Sequence, residues 1–295
     1  MTASRRGATL LVVGDVHNHW RPADRAFVEG SGADLALFVG DLGDEDAAIA
    51  SAIASIRLQK AVILGNHDAW QSFSLKRATG RLRRVIAALK DDLLGYAVRE
   101  CYAGACSLIG ARPFSWGGQS LRSVELYREL HGVGSMEQSA QRIVEMSRRC
   151  EHRDIILVAH NGPKGLSSEP ADIWGKDFGN PGGDWGDEDL RLAIERIEAD
   201  GLRVRAVVAG HMHDRLMHPR GALRTRFVRR QGTLFVNAAV VPRLRSVGDG
   251  PELGHFVRLQ VCGGEVTELA EIWVDGEGQI RHVSHPEVRE LPHVP

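Results

Sequence analysis

Five short apolar stretches of this 295-residue chain each run straight into residues that can hold a metal ion. The first ends in Gly14-Asp15-Val16-His17, the second in Gly40-Asp41 and the third in Gly65-Asn66-His67-Asp68. The fourth ends in Ala159-His160-Asn161 and the fifth in Gly210-His211-Met212-His213. Carboxylate, imidazole and amide oxygen together suit Mn, Fe, Zn or Co better than Ca or Mg, which prefer oxygen alone. Asp15, His17, Asp41, Asn66, His160, His211 and His213 are too many ligands for one tetrahedral ion but fit two ions sharing a carboxylate. Only Asp15 and Asp41 among them are charged, so two divalent ions keep a surplus of about +2. That surplus attracts a phosphate anion and lowers the pKa of a bridging water, giving hydroxide at neutral pH. The chemistry expected is hydrolysis of a phosphate ester by hydroxide between two divalent metals, manganese first among the candidates.

The elements that must position these residues follow from patterning. Residues 9–13, 35–39, 61–64, 155–159 and 205–209 are β-branched-rich runs bounded by Gly or polar residues, which reads as buried strands. Helical periodicity lies between them, over 45–58, 81–94, 137–150 and 187–199, with Asp187 a candidate N-cap. Strands alternating with helices imply βαβ units, and sites in such sheets form beyond the carboxyl ends of the strands. After residue 230 the strands come without helices (233–237, 255–261, 269–274), which predicts a second, more antiparallel sheet. Residues 160–186 hold seven Gly and three Pro, yet Trp174, Phe178 and Trp185 argue that this long loop is ordered. No linker or repeat stands out, so one domain over 1–295 is expected, with 275–295 a polar surface tail.

Bulk composition excludes some classes. A net charge of -1 points to neither nucleic acid nor membrane. No stretch approaches the roughly 20 apolar residues of a membrane span, and the first apolar run is too short for a signal peptide. The four cysteines include no C-x-x-C pair and read as free thiols, so a cytoplasmic setting is expected.

In chain order, the five motifs resemble the signature of the calcineurin-like metallophosphoesterases, across residues 14–213. The resemblance implies an α/β fold, a four-layer αββα sandwich of two mixed sheets with a dinuclear metal site at the strands' carboxyl edge. It also implies roles. Asp15, His17 and His213 would hold one ion, Asn66, His160 and His211 the other, and Asp41 would bridge. His67 would donate a proton to the leaving oxygen or stabilise phosphoryl charge. In the Ser/Thr protein phosphatase branch the second and third motifs read GD-x-x-DRG and GNHE. Here Asp44 matches the carboxylate that orients the catalytic histidine, but Glu45 stands where that branch has its phosphate-binding Arg, and Asp68 ends the third motif. An inward Glu45 would repel a dianion, so a phosphodiester or small phosphorylated molecule is expected over a phosphoprotein. Gly110–Trp116 (GARPFSW), His160-Asn161-Gly162-Pro163 and Asn237-Ala238-Ala239 resemble a narrower branch known from cyanobacteria and plant plastids.

Other residues have a functional and an ordinary reading. Trp20 and Trp70, just beyond metal motifs, would stack on an aromatic group or pack in the core. His19 would line the site or lie on the surface. His131, His152, His218, His255, His282, His285 and His293 are read as structural or surface groups. Eight Arg and no acidic residue between 215 and 245 would steer an anion or grip nucleic acid, or form a solvated hairpin. Arg112, Lys164 and Lys176 are candidates for the missing phosphate-binding cation. The competing functions are a nuclease of the same superfamily and a non-catalytic protein-binding scaffold. The second sits poorly with a complete ligand set and His67.

Overall fold

The computed structural model describes residues 7–246 and 250–292; the first six residues and His293 lie outside them. The five motif-bearing runs are strands, but they are divided between two sheets. β1 (Ala8–Val13), β2 (Leu35–Phe38) and β3 (Lys60–Val62) are parallel in the first. β4 (Val98–Cys101) and β5 (Cys106–Gly110) open the second as an antiparallel pair. β6 (Asp154–Val158), β7 (Arg203–Ala209), β8 (Phe227–Arg230) and β9 (Thr233–Asn237) extend it, with β5, β6, β7 and β9 parallel. The chain returns to the first sheet through β10 (Leu244–Ser246), β11 (Glu252–Cys262), β12 (Glu265–Val274) and β13 (Ile280–Ser284). β14 (Arg289–Glu290) then pairs with β8 in the second.

Two expectations change here. The separate antiparallel sheet after residue 230 does not form. β9 lies parallel to β7, and β11 pairs with β1. Phe256, Val257, Leu259 and Val261 give β11 apolar side chains for both faces, as an interior strand requires. The 275–295 segment is on the surface, but 280–284 and 289–290 are edge strands. They are short and carry Arg281, Arg289 and Glu290, which blunts further pairing.

The strands read as continuous apolar runs because both their faces are buried. Leu10 and Val12 of β1 face the core between the sheets with Ile156, Val208, Val257 and Leu259. Leu11 and Val13 face the core under the helices. Helices α1 (Pro22–Gly30) and α2 (Ala47–Ala54) make the β1–β2–β3 crossovers, and α3 (Trp70–Leu75) and α4 (Gly80–Leu89) follow β3. On the other side, α5 (Val124–His131) and α6 (Met136–Ser147) precede β6, and α7 (Glu188–Ala199) packs on α6 and β7. Asp46, Thr79, Ser123 and Ser135 accept first-turn N–H bonds of α2, α4, α5 and α6, which fixes where those helices begin. Asp187 holds the expected N-cap position of α7, but its carboxylate is drawn to Arg112 and Ser115 instead of the helix. The layers run helices, sheet, sheet, helices. No helix among the described residues is long and apolar enough to cross a membrane.

Candidate metal centre

The sequence-predicted ligands converge where the carboxyl ends of β1, β2 and β3 meet those of β6 and β7. Asp15, His17 and His213 form one group, His17, Asp41 and His67 a second, and Asp41, His160 and His211 a third. Within each group the ligand atoms lie within 4.8 Å of one another. Asn66 joins the third, its Oδ1 2.9 Å from His160 Nε2. Asp41 faces both ways, with Oδ2 3.7 Å from His17 Nε2 and Oδ1 3.3 Å from His160 Nε2.

Tight turns make this convergence. His17, Asp41 and His211 sit at φ 43°, 50° and 69°. Non-glycine residues hold that left-handed region at a cost of order 1–3 kcal/mol, and only where the surroundings impose it. Two motif glycines are required by close approach. A Cβ on Gly65 would lie 2.3 Å from Asp41 Oδ1, and one on Gly210 would lie 2.3 Å from Asp15 Oδ1. Backbone groups fix one oxygen of each carboxylate: His211 N–H donates to Asp15 Oδ1 (3.1 Å) and His67 N–H to Asp41 Oδ1 (2.8 Å).

The remaining atoms lack suitable protein partners. Asp15 Oδ2 and His17 Nε2 are buried without a hydrogen bond. They lie 3.9 Å apart, and His213 Nε2 is 3.7 Å from the same Asp15 oxygen. Burial, and then the negative charge of Asp41, push the Asp15 carboxyl up to about 7. Burial would also raise Asp41, but the imidazoles around it, His160 foremost, hold it well below the usual range. Burial, reinforced by the neighbouring imidazoles, pushes His211 well below and His213 to about 4; it lowers His17 too, against the pull of Asp41. Those three rings are therefore neutral at pH 7 and carry lone pairs. His160 differs: burial lowers it, but Asp41 and Asp15 outweigh that and hold it near 9. Its Nδ1 donates to the Val39 carbonyl (2.8 Å), so Nε2 faces Asn66 and Asp41 as a donor or, once deprotonated, as a ligand. Buried lone pairs facing one another are what divalent cations resolve, with release of the His160 proton. The donor set fits such ions.

At the rim, His67 Nδ1 is 2.9 Å from Asp44 Oδ1, which leaves Nε2 for the cleft. Asp68, a candidate ligand by its place in the third motif, does not join the groups. Its carboxylate accepts from Gly43 N–H (3.0 Å) and Gly65 N–H (2.8 Å), tying the second motif to the third. Glu45 does not point inward. It is buried, accepting from Ser72 N–H (2.7 Å) and the Thr79 hydroxyl at the base of α3 and α4. The repulsion expected from it is absent.

The candidate cations sort differently from their sequence reading. Arg112 is buried against Asp187, Asp189 and Tyr127, and Lys164 pairs with Glu188. Lys176 lies over the Phe178 and Trp185 rings. Six of the eight arginines between 215 and 245 have intramolecular partners, including Arg224 on Asp177, Arg226 on Glu271, Arg243 on Asp24 and Arg245 on Asp214. Most of that stretch is thus tied into the fold. Trp20 packs on Phe38 beneath Arg243, whereas Trp70 stands on the cleft wall, and His19 is exposed outside the ligand groups. Two cations do reach the cleft, Arg122 and Arg215. Arg215 begins the Arg-rich stretch; nothing in the sequence distinguished Arg122. Trp116 of the GARPFSW motif, with Phe178 and Trp185 of the 160–186 loop, completes the wall. Asn237 of the Asn-Ala-Ala motif donates to the Ile173 and Met212 carbonyls, fixing the fifth motif.

Two face-to-face mixed sheets, with carboxylates and imidazoles for two ions at their shared edge, define a dimetal hydrolase. The model of the calcineurin-like phosphoesterase family matches residues 8–215, and the chain belongs to that family. It is thus a metallophosphoesterase, a hydrolase acting on ester bonds. No curated protein matches significantly. One solved chain superposes with a TM-score of 0.54 at 11% identity, covering 86% of this chain and 95% of its own. The protein TT1561 of Thermus thermophilus superposes at 0.50 and 11% identity, over 92% of this chain and 99% of its own. Purple acid phosphatase PPD1 from yellow lupin seeds reaches 0.47 at 13% identity, over 96% of this chain and 54% of its own. At these identities the first two likenesses speak for the fold alone, and the third carries no argument.

Proposed function

We propose that this chain hydrolyses a phosphate ester of a small molecule with two divalent ions, one on Asp15, His17 and His213, the other on Asn66, His160 and His211, with Asp41 shared. When bound, the ion pair activates water at neutral pH and neutralises charge on the phosphoryl group. The chain's own residues do the rest. Asp44 accepts from His67 Nδ1 and aims Nε2 at the cleft, where His67 donates a proton to the departing oxygen. Arg122 and Arg215 offer guanidinium groups to the remaining phosphate oxygens. The observation that carries the reading is Asp41, whose two oxygens face two separate ligand groups.

The preference for a diester rested on a missing cation, and Arg122 and Arg215 remove that reason. The substrate is therefore a small phosphate ester with one or two ester bonds. A cleft of about 390 Å³ supports a small molecule over a phosphoprotein surface. Manganese heads the metals to try, because nitrogen and oxygen ligands are mixed. Cysteines that form no disulfide, two of them buried, suit a cytoplasmic protein. The test combines elemental analysis with turnover of a chromogenic diester and monoester under added Mn²⁺. About two ions per chain and turnover of either ester support the proposal. Protein that takes up no Mn²⁺ and turns over neither ester refutes it.

A further inference from the structure

The cleft over the ligand groups has an apolar side that metal chemistry does not require. Its floor includes Asp41, Asn66, His67 and His211; its walls are Trp70, Trp116, Phe178, Trp185 and Met217. The rings are ordered against one another. Trp70 stacks on His67 with centroids 4.8 Å apart and planes 25° apart, and Trp116 follows at 5.1 Å. Phe178 meets Trp185 edge-on at 5.1 Å, and Trp185 Nε1–H donates to the Trp116 carbonyl (2.8 Å), joining the two walls. Yet Trp70 is 45% and Met217 59% exposed. Large apolar side chains left in water at a cleft mouth mark a surface that a ligand covers.

The charges on this side are as selective. Arg122 lies over the Trp116 ring at 4.0 Å, and neither it nor Arg215 has an ion-pair partner among the described residues. The one further wall carboxylate, Asp177, is occupied by Arg224 (3.1 Å) and the Met217 N–H (2.7 Å). A wall of aromatic rings flanked by guanidinium groups that no carboxylate neutralises suits an anion that carries a flat ring. Trp70 and Trp116 lie within two ring spacings of His67, which places such a ring a short spacer away from the reacting phosphate.

We infer that the substrate is a phosphate ester whose alcohol carries a planar aromatic ring on a short spacer, as in a nucleoside 5′-phosphate, with the ring held on the Trp70–Trp116 wall. This rests on the phosphoesterase reading and narrows it. Base–aromatic stacking contributes about 1–3 kcal/mol, so the ring is worth roughly 5- to 150-fold in kcat/KM.

The test compares adenosine 5′-monophosphate with ribose 5-phosphate under the same Mn²⁺. The departing alcohol is the same type, so a difference reports the ring. Their methyl phosphodiesters form a second pair, and 2-phenylethyl against ethyl phosphate a third. A preference of fivefold or more in the adenosine pairs, chiefly in KM, is expected. Seeing it only in the phenylethyl pair would keep the ring and replace the nucleobase by a simple arene. Trp116→Ala should erase the preference, read as the ratio of adenosine 5′-monophosphate to ribose 5-phosphate kcat/KM within the variant, and Trp116→Phe should restore much of it. Because Trp116 is partly buried, a second readout is binding of adenosine itself to the wild-type protein by quenching of tryptophan emission, with ribose as control. Turnover without ring preference, together with no adenosine binding, overturns this inference and leaves the phosphoesterase intact. No turnover of any ester sinks the phosphoesterase reading, and the adenosine quenching then decides the aromatic wall alone.

Discussion

Two clusters of buried charge in this protein are built on opposite principles. Around Arg112 the protein supplies a partner for every polar atom. The guanidinium donates to Asp189 (2.7 Å), Asp187 (2.8 Å) and the Tyr127 hydroxyl (3.2 Å). Ser115, Ser139 and Tyr96 close the remaining positions, and no atom of the set is left without a hydrogen bond. Around Asp41, two carboxylates and five imidazoles face one another with Asp15 Oδ2 and His17 Nε2 unpartnered. A closed network holds a fold in one arrangement; an open one is incomplete until cations enter it. Burial and ionisable groups alone do not separate a site from a structural ion pair. What separates these two clusters is that the unpartnered atoms around Asp41 are a carboxylate oxygen and an imidazole nitrogen facing one another.

The sharpest way to break this comparison is to remove a group that works at the open cluster without completing it. His67→Ala should keep metal content near that of the wild type and lose roughly 10²–10⁴-fold in kcat, the range for a positioned proton donor. Asp44→Asn should share much of that loss, because Asp44 accepts from His67 Nδ1. Steady-state kinetics with elemental analysis checks both, and an unimpaired His67→Ala would remove the histidine from the chemistry.

The closed cluster should fail differently. Arg112→Met leaves Asp187 and Asp189 buried without their cation, and one-sided breaks of such networks cost about 3–5 kcal/mol. Its denaturation midpoint should fall sharply whether or not metal is present, while kcat per folded molecule changes little. A variant that melts normally but no longer binds metal would show that Arg112 belongs to the site after all.

How much of this was legible in the sequence depends on range. Each candidate ligand follows the end of an apolar run, most of them after a glycine, so Asp15, His17, Asp41, Asn66, His160, His211 and His213 could be named as candidates from local pattern. The strands themselves were visible because both faces are buried. What could not be read was long-range. Glu45 was placed by analogy, and only the fold reveals that Ser72 and Thr79, on the next helices, turn it away. Arg112 resembles Arg122 as a residue type, yet one is enclosed by α7 carboxylates and the other reaches the cleft. The return of β11 to β1 joins residues about 250 positions apart, and no local periodicity announces that. Aromatic walls are assembled the same way, from Trp70, Trp116 and Trp185 in three separate segments.

Smaller effects test whether the open cluster awaits cations. A ligand that binds only the folded state stabilises it by about 2.7 kcal/mol at a hundredfold excess over Kd. At about 2 °C per kcal/mol for a chain of this size, saturating Mn²⁺ should raise the wild-type midpoint by roughly 5 °C. Asp41→Asn should lose most of that rise, since both ligand groups share this residue, whereas Arg112→Met should keep it from a lower starting point. An equal rise in wild type and Asp41→Asn would mean that the ions bind elsewhere.

The smallest expected effect reverses the usual sign. Without metal, Asp15 is buried near Asp41 with one oxygen unpartnered, so its ionised form costs stability. A carboxyl raised from 3.8 to about 7 binds its proton more tightly in the folded state than in the unfolded one. Stability of the metal-free protein should therefore fall as pH rises from about 4 to 7 and level off above, with this group's cost fully present at pH 8. In Asp15→Asn the new side-chain oxygen can still accept from His211 N–H, and the new amide can donate toward the neutral His17 and His213 rings. In chelator at pH 8, Asp15→Asn should thus melt above the wild type, by on the order of 1 kcal/mol or about 2 °C. Near pH 4 the two should coincide, because the carboxyl is then neutral when folded. Adding Mn²⁺ should invert the order at pH 8, since only the wild type offers its carboxylate to the ion. Should Asp15→Asn melt below the wild type in chelator at pH 8, the strain assigned to the open cluster is absent, and its contrast with the Arg112 network falls with it.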